Sequence, residues 1–439
     1  MAGVGVLFAL APLALMGQSS CFPGSEFSLR REKLLASAGE GVILLDAGLF
    51  PSEFVYLTGI RSRTAKLIII PDSLARQTPK PSEWPTTLYL PSKSPLSGVW
   101  EDPELSDGED TFTPTGIQNS APEASFWPDL AKIGLITDTV YVPFGPGLRD
   151  PEHPAEGPTF VSRVTAALPG VKVKNLLPII DRLRWTKTAA EVGAVRQACA
   201  IVSEAYKEAA RLTRPGVKES DLEAAVSYVF RRLGSEGAEF LIIGSGPNSC
   251  ILHHMKNDRQ VEKDEVLVID IGNVHCSLSD DLTRTIPTSG KFTPEQKRIY
   301  EVVLRAQKAA IALVKPGATL AQVHTVARRI IEDAGYGKYF IHGTSHTLNG
   351  GASVHPLSWG IRRPRKPVDR YEANDVPLQP GSMITVEPGI YIPEKKIGIR
   401  IEDSVLVTAD GCQVLTAAAP KEIADIERLM KETPVYIKK

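Results

Sequence analysis

The feature that most constrains the fold is the stretch VLVIDIGNVHCSLSDDLTRT, residues 266–285, in which aspartates interrupt apolar, strand-like runs. Asp270 directly follows the apolar run VLVI, and Asp281 begins the run DLTRT eleven positions later. A short apolar run of this kind predicts a buried strand. Burying a carboxylate in such a strand is costly unless a proton or a cation compensates its charge. The stretch therefore predicts a fold in which buried strands hold a cation.

Three later stretches carry the same kinds of residue: FIHGTSHTLNGGASVH, ITVEPGIYI and IGIRIEDSV. Together they add His342, His346, His355, Glu387 and Glu402. One carboxylate at a strand end is usually solvated, but four acids in apolar, β-rich segments, together with histidine, form an oxygen-rich donor set. Such a set suits two divalent ions such as Mn²⁺ or Co²⁺, and two neighbouring ions need bridging carboxylates. A structural metal site, by contrast, favours tetrahedral Cys and His ligation.

The chain is too long, at 439 residues, for one ordinary core, and this length predicts two domains. Residues 23–177 combine short strand-like runs with a Pro-, Ser- and acid-rich span at 92–128, which predicts an α/β domain with a long loop. From residue 178 to residue 439 we expect an α/β or α+β domain, because apolar residues there recur at helical spacing and Thr188 with Glu191 predicts a capping box. Its helices are expected at 191–212, 218–233, 294–314 and 320–334, and its strands at 265–272, 383–391 and 398–407.

Residues 1–22 contain one apolar run, from Val4 to Met16, which is too short to span a bilayer but matches the core of a signal peptide. No Lys or Arg precedes this run. Two alternatives therefore stay open: export to the periplasm or the medium, with 1–22 as a signal segment, or a cytoplasmic protein with a mis-assigned start or a buried N-terminal segment. Cys21 follows a poor lipid-attachment motif, GQSSC, which disfavours a lipoprotein.

The overall composition excludes several classes of partner. The net charge of −1 gives no reason to expect a nucleic acid or an acidic polymer, and no later segment is apolar enough to cross a membrane. The five cysteines are scattered without paired spacing, which predicts small core residues rather than disulfides. The function is therefore expected to come from a local site.

The second half of the chain resembles the pita-bread metallopeptidases. The resemblance covers roughly residues 178–430 and is carried by LRWTKTAAEVGAVRQA, NSCILHH, DLTRT, HGTSH, VEPGIYI, GIRIED and PKEIADIE. The first half is more weakly similar to the creatinase-type N-terminal domain, through FVYLTGI and GVWEDPEL. The two-domain length is similar to that of Xaa-Pro aminopeptidase (aminopeptidase P) and its relative Xaa-Pro dipeptidase (prolidase).

The resemblance implies a role for each residue of the site. Asp270 would be a terminal ligand of one metal ion, Asp281 and Glu402 would bridge two ions, and His346 and Glu387 would bind the other ion. Mn²⁺ is the first expectation, with Co²⁺ or Zn²⁺ as alternatives. Glu387 would also be the general base.

Further residues are implied to act on the substrate or to support the ligands. His253 would lie near the substrate amide, and His342 and His355 would line the pocket and steady the tetrahedral intermediate. Arg400, two residues from Glu402, is expected on the same strand face, where it would orient that carboxylate.

The chain departs from the family pattern at three places. His254 stands where the family usually has an aromatic residue, often Tyr, and it either fills the same space or adds a role. The segment between His346 and His355 is two residues longer than usual, and PLSWG replaces the acidic residue that commonly follows. The three histidines outside these motifs are expected at the surface or in the core: His153, His275 and His324.

The function that the resemblance implies is hydrolysis of the bond before a penultimate proline, with release of the N-terminal residue, by a homo-oligomer such as a dimer or tetramer. A strict Xaa-Pro dipeptidase is the main alternative. Such an enzyme needs a cation for the substrate carboxylate, and Arg370 or the run IRRPRKP could supply it. Methionine aminopeptidase, a creatinase-like amidinohydrolase and a metal-free binding relative are remoter alternatives.

Overall fold

The computed structural model describes residues 21–75, 85–93, 99–100, 102–144, 159–348 and 376–437. Their elements form two groups along the chain. The first group is α1 (Gly24–Ala38), β1 (Val42–Asp46), α2 (Pro51–Thr58), β2 (Lys66–Ile69), α3 (Asp72–Ala75), β3 (Thr86–Leu90), α4 (Phe112–Thr115), β4 (Asn119–Pro122), α5 (Phe126–Ile133), β5 (Thr139–Val142), α6 (Phe160–Ala167), β6 (Lys172–Asn175) and α7 (Leu177–Trp185). The second group is α8 (Ala189–Leu212), α9 (Glu219–Arg232), β7 (Gly237–Ser245), β8 (Val266–His275), β9 (Leu278–Ser279), β10 (Leu282–Pro287), α10 (Pro294–Leu313), α11 (Leu320–Asp333), β11 (Met383–Val386), β12 (Gly389–Ile392), β13 (Ile397–Arg400), β14 (Asp403–Val407), β15 (Cys412–Val414) and α12 (Ile423–Leu429).

The first group forms one six-stranded mixed sheet in the order β4-β3-β2-β1-β5-β6. All five residues of β1 are buried, because helices cover both faces of the sheet. Ile43 and Leu45 point into a core with α1, α2 and α7, whereas Val42 and Leu44 point into a second core with α5 and α6. An α/β arrangement is therefore present in this half, as the sequence predicted. The placement of a domain boundary near residue 178 stays a prediction.

The second group combines long helices with short antiparallel sheets. The strands pair in the orders β10-β8-β7, with β9 on β8, then β11-β14-β15 and β12-β13. Helices α8 to α11 share one apolar core with the first of these sheets. Three of these helices begin with capping boxes, of which the one at Thr188 and Glu191 was predicted, and the other two are Thr293 with Gln296 and Thr319 with Gln322.

Two expected strands are each broken in the middle. The strand predicted at 383–391 divides into β11 and β12 at Glu387 and Pro388, where proline has no N–H to donate to a ladder. The strand predicted at 398–407 divides into β13 and β14 after Arg400. Strand β11 pairs with β14 and β12 pairs with β13, so both chain segments change sheets at the break. Glu387 and Glu402 lie at these two breaks.

The expectation that the cysteines are unpaired core residues is wrong for two of them. Cys21 and Cys276 form a disulfide across 255 residues of sequence, with their Cα atoms 5.2 Å apart. Cys276 lies in the tight turn between β8 and β9, where it has a positive φ of 57°. The adjacent Phe22 belongs to an apolar cluster that also includes Leu278 and other side chains of the second group. The three other cysteines are free, and Cys199 is buried as expected.

No helix among the described residues is long and apolar enough to cross a membrane.

Candidate active site

The acids predicted to bind metal converge where three pairs of strands meet. Asp270 in β8 lies opposite Thr283 of β10, and Asp281 immediately precedes β10. Glu387 follows β11, and Glu402 lies between β13 and β14. The backbone N–H of Glu402 donates to Thr283 O at 3.0 Å, which joins that break to β10.

His346 lies in the centre of these acids. Its Nε2 atom is 3.3 Å from Asp281 Oδ2, 3.5 Å from Glu387 Oε1 and 3.9 Å from Glu402 Oε1. Ligand atoms of His346, Asp281 and Glu402 all lie within 4.8 Å of one another. Four of the five predicted metal ligands thus surround one small volume, and Asp270 joins them through the hydroxyl of Thr283.

Thr283 and Arg400 connect the carboxylates. Thr283 Oγ1 lies 2.8 Å from Asp270 Oδ1 and 2.6 Å from Glu402 Oε2, and it accepts a bond from Arg400 Nε at 3.1 Å. Arg400 also donates to Asp270 Oδ2 at 2.6 Å. Arg400 therefore bonds directly to Asp270 and reaches Glu402 through Thr283, and the expectation that Arg400 and Glu402 share a strand face is wrong. The reason is that β13 ends at Arg400, so the two-residue periodicity of a strand does not extend to position 402.

The electrostatics of the cluster require a compensating charge. Burial, together with neighbouring carboxylates, raises the pKa of Asp281 and of Glu402 well above the usual range. Burial and the charge of Glu402 raise the pKa of Glu387 to about 8. Buried carboxylates this close are stable only with protons or cations between them.

Two atoms within the cluster have no donor. Asp281 Oδ1 and Glu402 Oε1 are buried without a hydrogen-bond partner among the described residues. Buried oxygens normally find a partner, and an oxygen-rich set with one imidazole is typical of divalent-ion ligation. The donor set therefore fits divalent metal ions.

His342 belongs to a separate chain of hydrogen bonds. Its Nδ1–H donates to Gly343 O at 2.7 Å, while Nε2 accepts from the hydroxyl of Tyr391 at 2.9 Å. That hydroxyl accepts from Arg400 NH1 at 2.8 Å. Burial, and next the positive charge of Arg400, lower the pKa of His342 to about 3, so its ring is neutral. His342 Nδ1 lies 3.9 Å from Glu387 Oε2, at the edge of the carboxylate cluster.

His253 and His254 face different surroundings. His253 is exposed, and the carbonyl of the preceding Leu252 accepts a 3.4 Å bond from Arg400 NH2. His254 is buried, and its Nε2–H donates to Glu219 at 3.1 Å. His254 is therefore a hydrogen-bonded internal residue, and whether it only fills space or adds a role stays a prediction.

The remaining predicted histidines lie apart from the cluster or outside the described residues. His324 is buried against Phe340, with Nδ1 2.8 Å from Thr344 Oγ1. His275 is half-buried, and its Nε2 lies 2.7 Å from Gln197 Oε1. His355 and His153 lie outside the described residues, as do Arg370 and the run IRRPRKP.

Sequence reasoning did not identify Thr283, Tyr391 or Glu219. Thr283 carried a signal, because it lies two residues after Asp281 in the strand-like run DLTRT and so is expected on the same strand face. Tyr391 and Glu219 carried none, since their partners are distant in sequence.

The chain is similar to known metallopeptidases. Residues 193–409 match metallopeptidase family M24. The Xaa-Pro aminopeptidase of Haemophilus influenzae is 31% identical over 407 residues, which cover 86% of this chain and 87% of that protein. The Xaa-Pro dipeptidase of Pyrococcus furiosus is 38% identical over 244 residues, which cover 55% of this chain and 66% of that protein. The solved structure of Pseudomonas aeruginosa aminopeptidase PepP matches with a TM-score of 0.75 and 28% identity, over 93% of this chain and 98% of that one.

These findings confirm the resemblance stated from the sequence, and with it the mixed α/β class and the pita-bread catalytic fold. The likeness to Haemophilus influenzae Xaa-Pro aminopeptidase spans most of both chains. The chain belongs to metallopeptidase family M24.

Proposed function

We propose that the protein is an Xaa-Pro aminopeptidase, which hydrolyses the peptide bond before a penultimate proline and releases the N-terminal residue. The observation that carries this proposal is the cluster of Asp281, His346 and Glu402, with Asp270 and Glu387 beside it, in a chain of family M24. The likeness to Haemophilus influenzae Xaa-Pro aminopeptidase over 86% of the chain supports the substrate class.

The proposed ligands are those that the resemblance implied. Asp270, Asp281, His346, Glu387 and Glu402 would hold two divalent ions, with Mn²⁺ as the first candidate and Co²⁺ or Zn²⁺ as alternatives. When bound, such ions would polarise the substrate carbonyl and lower the pKa of a bound water molecule.

Glu387 is the proposed proton acceptor and donor. Its side chain is 17% exposed, whereas those of Asp281 and Glu402 are 6% and 2% exposed, so Glu387 is the acid best placed to reach substrate and solvent. A carboxylate in that position can accept a proton from the attacking water and return it to the leaving imino nitrogen of proline. The neighbouring His342 is neutral and is oriented by Tyr391, so it adds no positive charge that would hold Glu387 ionised.

The proposed histidine roles differ in their support. His253 is exposed beside the cluster, which suits contact with the substrate amide. Both ring nitrogens of His342 are occupied by Gly343 and Tyr391, so its role in the pocket is to present a fixed, neutral ring. His355 stays a proposal from the resemblance alone.

The metal proposal is tested with protein that has been stripped by a chelator and then reloaded with each metal in turn. We expect two ions per chain and recovery of Ala-Pro-Ala hydrolysis, with Mn²⁺ the most effective. The matched variant His253→Ala should keep both ions and lose turnover, because that residue is assigned to the substrate. One ion or none in a fully active preparation would refute the two-metal proposal.

A strict dipeptidase is the second candidate, favoured by the 38% identity to Pyrococcus furiosus Xaa-Pro dipeptidase over 244 residues. That likeness covers only 55% of this chain, against 86% for the aminopeptidase. The two functions are distinguished by kcat/KM for Ala-Pro against Ala-Pro-Ala. A preference for the dipeptide of tenfold or more, about 1.4 kcal/mol in transition-state binding, would favour the dipeptidase. Loss of that preference in Arg370→Ala would identify Arg370 as the cation that binds the substrate carboxylate.

We further propose that the protein is exported, with cleavage among the small residues at 17–20 rather than after residue 22, so that Cys21 stays in the mature chain. The support is the pairing of Cys21 with Cys276, because disulfides persist in oxidising compartments and are rare in the cytosol. A Cys21 sulfur bonded in this way cannot carry a lipid, which also disfavours the lipoprotein. Mass spectrometry of protein from its native host should detect the cross-linked peptide in the exported fraction, and free thiols at both positions would refute export.

We also propose a homo-oligomer, a dimer or tetramer. Light scattering at assay concentrations tests it, and a monomer that retains full activity would refute it.

A further inference from the structure

The candidate substrate histidine, His253, lies in a connecting segment between β7 and β8 rather than on a strand or helix. Its apolar neighbours Ile251 and Met255 are 53% and 62% exposed. Apolar packing at these positions therefore does not hold the segment around His253. Polar contacts on either side of His253 must position it instead.

One of these contacts comes from the cluster itself. Arg400, which binds Asp270, also donates to the carbonyl of Leu252 at 3.4 Å. The other comes from Glu219, the first residue of α9, through the buried side chain of His254.

Glu219 accepts hydrogen bonds from both ends of the segment. Its side chain is fully buried, and among the described residues the donors to its two oxygens all come from 245–259. The donors are Ser245 N at 2.6 Å, Ser245 Oγ at 2.7 Å, Asn248 Nδ2 at 3.1 Å, His254 Nε2 at 3.1 Å and Arg259 N at 3.1 Å. Its own backbone N–H donates to Arg259 O at 2.9 Å. One buried carboxylate thus joins the beginning, the middle and the end of the segment that carries His253.

We infer that Glu219 and His254 are positioning residues for His253, an inference that rests on the proposed function for the identity of the reaction. His254 links the segment to Glu219: its ring donates a hydrogen bond to the Glu219 carboxylate, while the adjacent His253 stays exposed. A tyrosine at position 254 could also donate a hydrogen bond to Glu219, and a phenylalanine could not. Glu219 therefore needs a hydrogen-bond donor at position 254, and an aromatic ring of the same size that cannot donate is not enough.

The test compares side chains at position 254 that can donate a hydrogen bond to Glu219 with one that only occupies the same space. The variants are His254→Phe, His254→Tyr and Glu219→Gln, each loaded with metal and assayed on Ala-Pro-Ala. His254→Phe and Glu219→Gln should lower kcat/KM at least about tenfold, since a displacement near 1 Å of a group that contacts substrate has effects of that size or larger. The loss should fall mainly on kcat, and His254→Tyr should restore most of it. Metal content should equal that of the unmodified protein throughout.

The matched control is Glu208→Gln. Glu208 is also fully buried, and it accepts backbone N–H bonds from Val435, Tyr436 and Ile437, at 2.8 Å to 2.9 Å. This control should lose stability without a comparable loss of kcat/KM. Amide hydrogen exchange provides a readout independent of activity: protection at residues 250–256 should fall in His254→Phe and Glu219→Gln, and should be unchanged in Glu208→Gln.

A double-mutant cycle decides whether the pair acts through His253. In a His253→Ala background, His254→Phe should cause no further loss of kcat/KM. An equal loss in both backgrounds, or full activity of His254→Phe, would overturn the inference. Absence of Ala-Pro-Ala hydrolysis in the unmodified protein would instead refute the proposed function. The exchange measurement would still decide whether Glu219 and His254 hold the segment, and unchanged protection there would overturn the inference independently.

Discussion

The substitution Thr283→Val isolates the contribution of one hydroxyl group to the candidate metal site. Thr283 is fully buried in β10, and valine has nearly the same shape and suits a strand. The substitution removes the oxygen that lies 2.8 Å from Asp270, 2.6 Å from Glu402 and 3.1 Å from Arg400 Nε. It leaves the ligands themselves in the chain.

The magnitude follows from counting the bonds that one hydroxyl can make. A single proton serves one carboxylate at a time, and the oxygen accepts from Arg400, so two bonds to charged groups are lost. Each contributes about 1.5–3 kcal/mol. Arg400 keeps its bonds to Asp270 and Tyr391, which places the expected loss near the lower end, about 3 kcal/mol of unfolding free energy in the metal-free protein. Loss of a group that orients ligands also lowers metal affinity about 10- to 100-fold.

Thr285→Val is the matched control. Thr285 lies two residues further along the same strand and is also fully buried, but among the described residues its hydroxyl bonds only to the backbone of Arg400, at 2.9 Å and 3.0 Å. Two neutral bonds contribute about 2 kcal/mol together. This variant should therefore lose stability while its metal affinity stays near that of the unmodified protein.

Urea unfolding of the metal-free proteins measures the first quantity, and competition with a chelator of known affinity measures the second. Equal metal affinity in the two variants would refute the reasoning, because it would mean that the hydroxyl of Thr283 does not orient the carboxylates. A stability loss in Thr285→Val larger than in Thr283→Val would also contradict it.

Three further predictions follow from the site and its surroundings. Asp281→Asn should bind fewer than two metal ions and lose hydrolysis, since an amide lacks the charge and the second acceptor oxygen that a bridge needs; metal analysis with two retained ions would contradict this. Burial lowers the pKa of His324 from 6.5 to about 4, so on acidification the unfolded chain binds this proton before the folded chain does. The unfolding free energy should therefore fall by about 1.4 kcal/mol for each unit by which the pH is lowered from 6.5 to about 4. His324→Asn should flatten that slope in urea titrations, and an unchanged slope in this variant would contradict the prediction. Cys276→Ser opens a loop of 255 residues and should lower stability by up to about 5 kcal/mol, whereas Cys412→Ser should have little effect.

Much of the fold could be predicted from local patterns. The helices α8, α9, α10 and α11 agree with their expected ranges within two residues, because apolar residues recur at helical spacing and, in α8, Thr188 and Glu191 form a capping box that marks its first turn. The strand carrying Asp270 was predicted from its apolar run. The candidate metal ligands could be predicted for a chemical reason: acids in apolar strands are rare unless they bind something.

Other features depended on contacts between distant residues. The breaks at Glu387 and after Arg400 arise because each chain segment changes its partner strand, which local β-propensity does not encode. The real partner of Arg400, Asp270, lies 130 residues away and is brought near by that change.

The sequence by itself determined which residues could bind metal and which segments could be helices, because these depend on residue type and short-range spacing. The tertiary structure alone decided how those residues are supported. Thr283 joins two carboxylates, Tyr391 orients His342, Glu219 holds the segment of His253, and Cys21 meets Cys276 across 255 residues. The physical reason is that each of these contacts is set by how sheets and connecting segments pack in three dimensions, and no spacing along the chain records that packing.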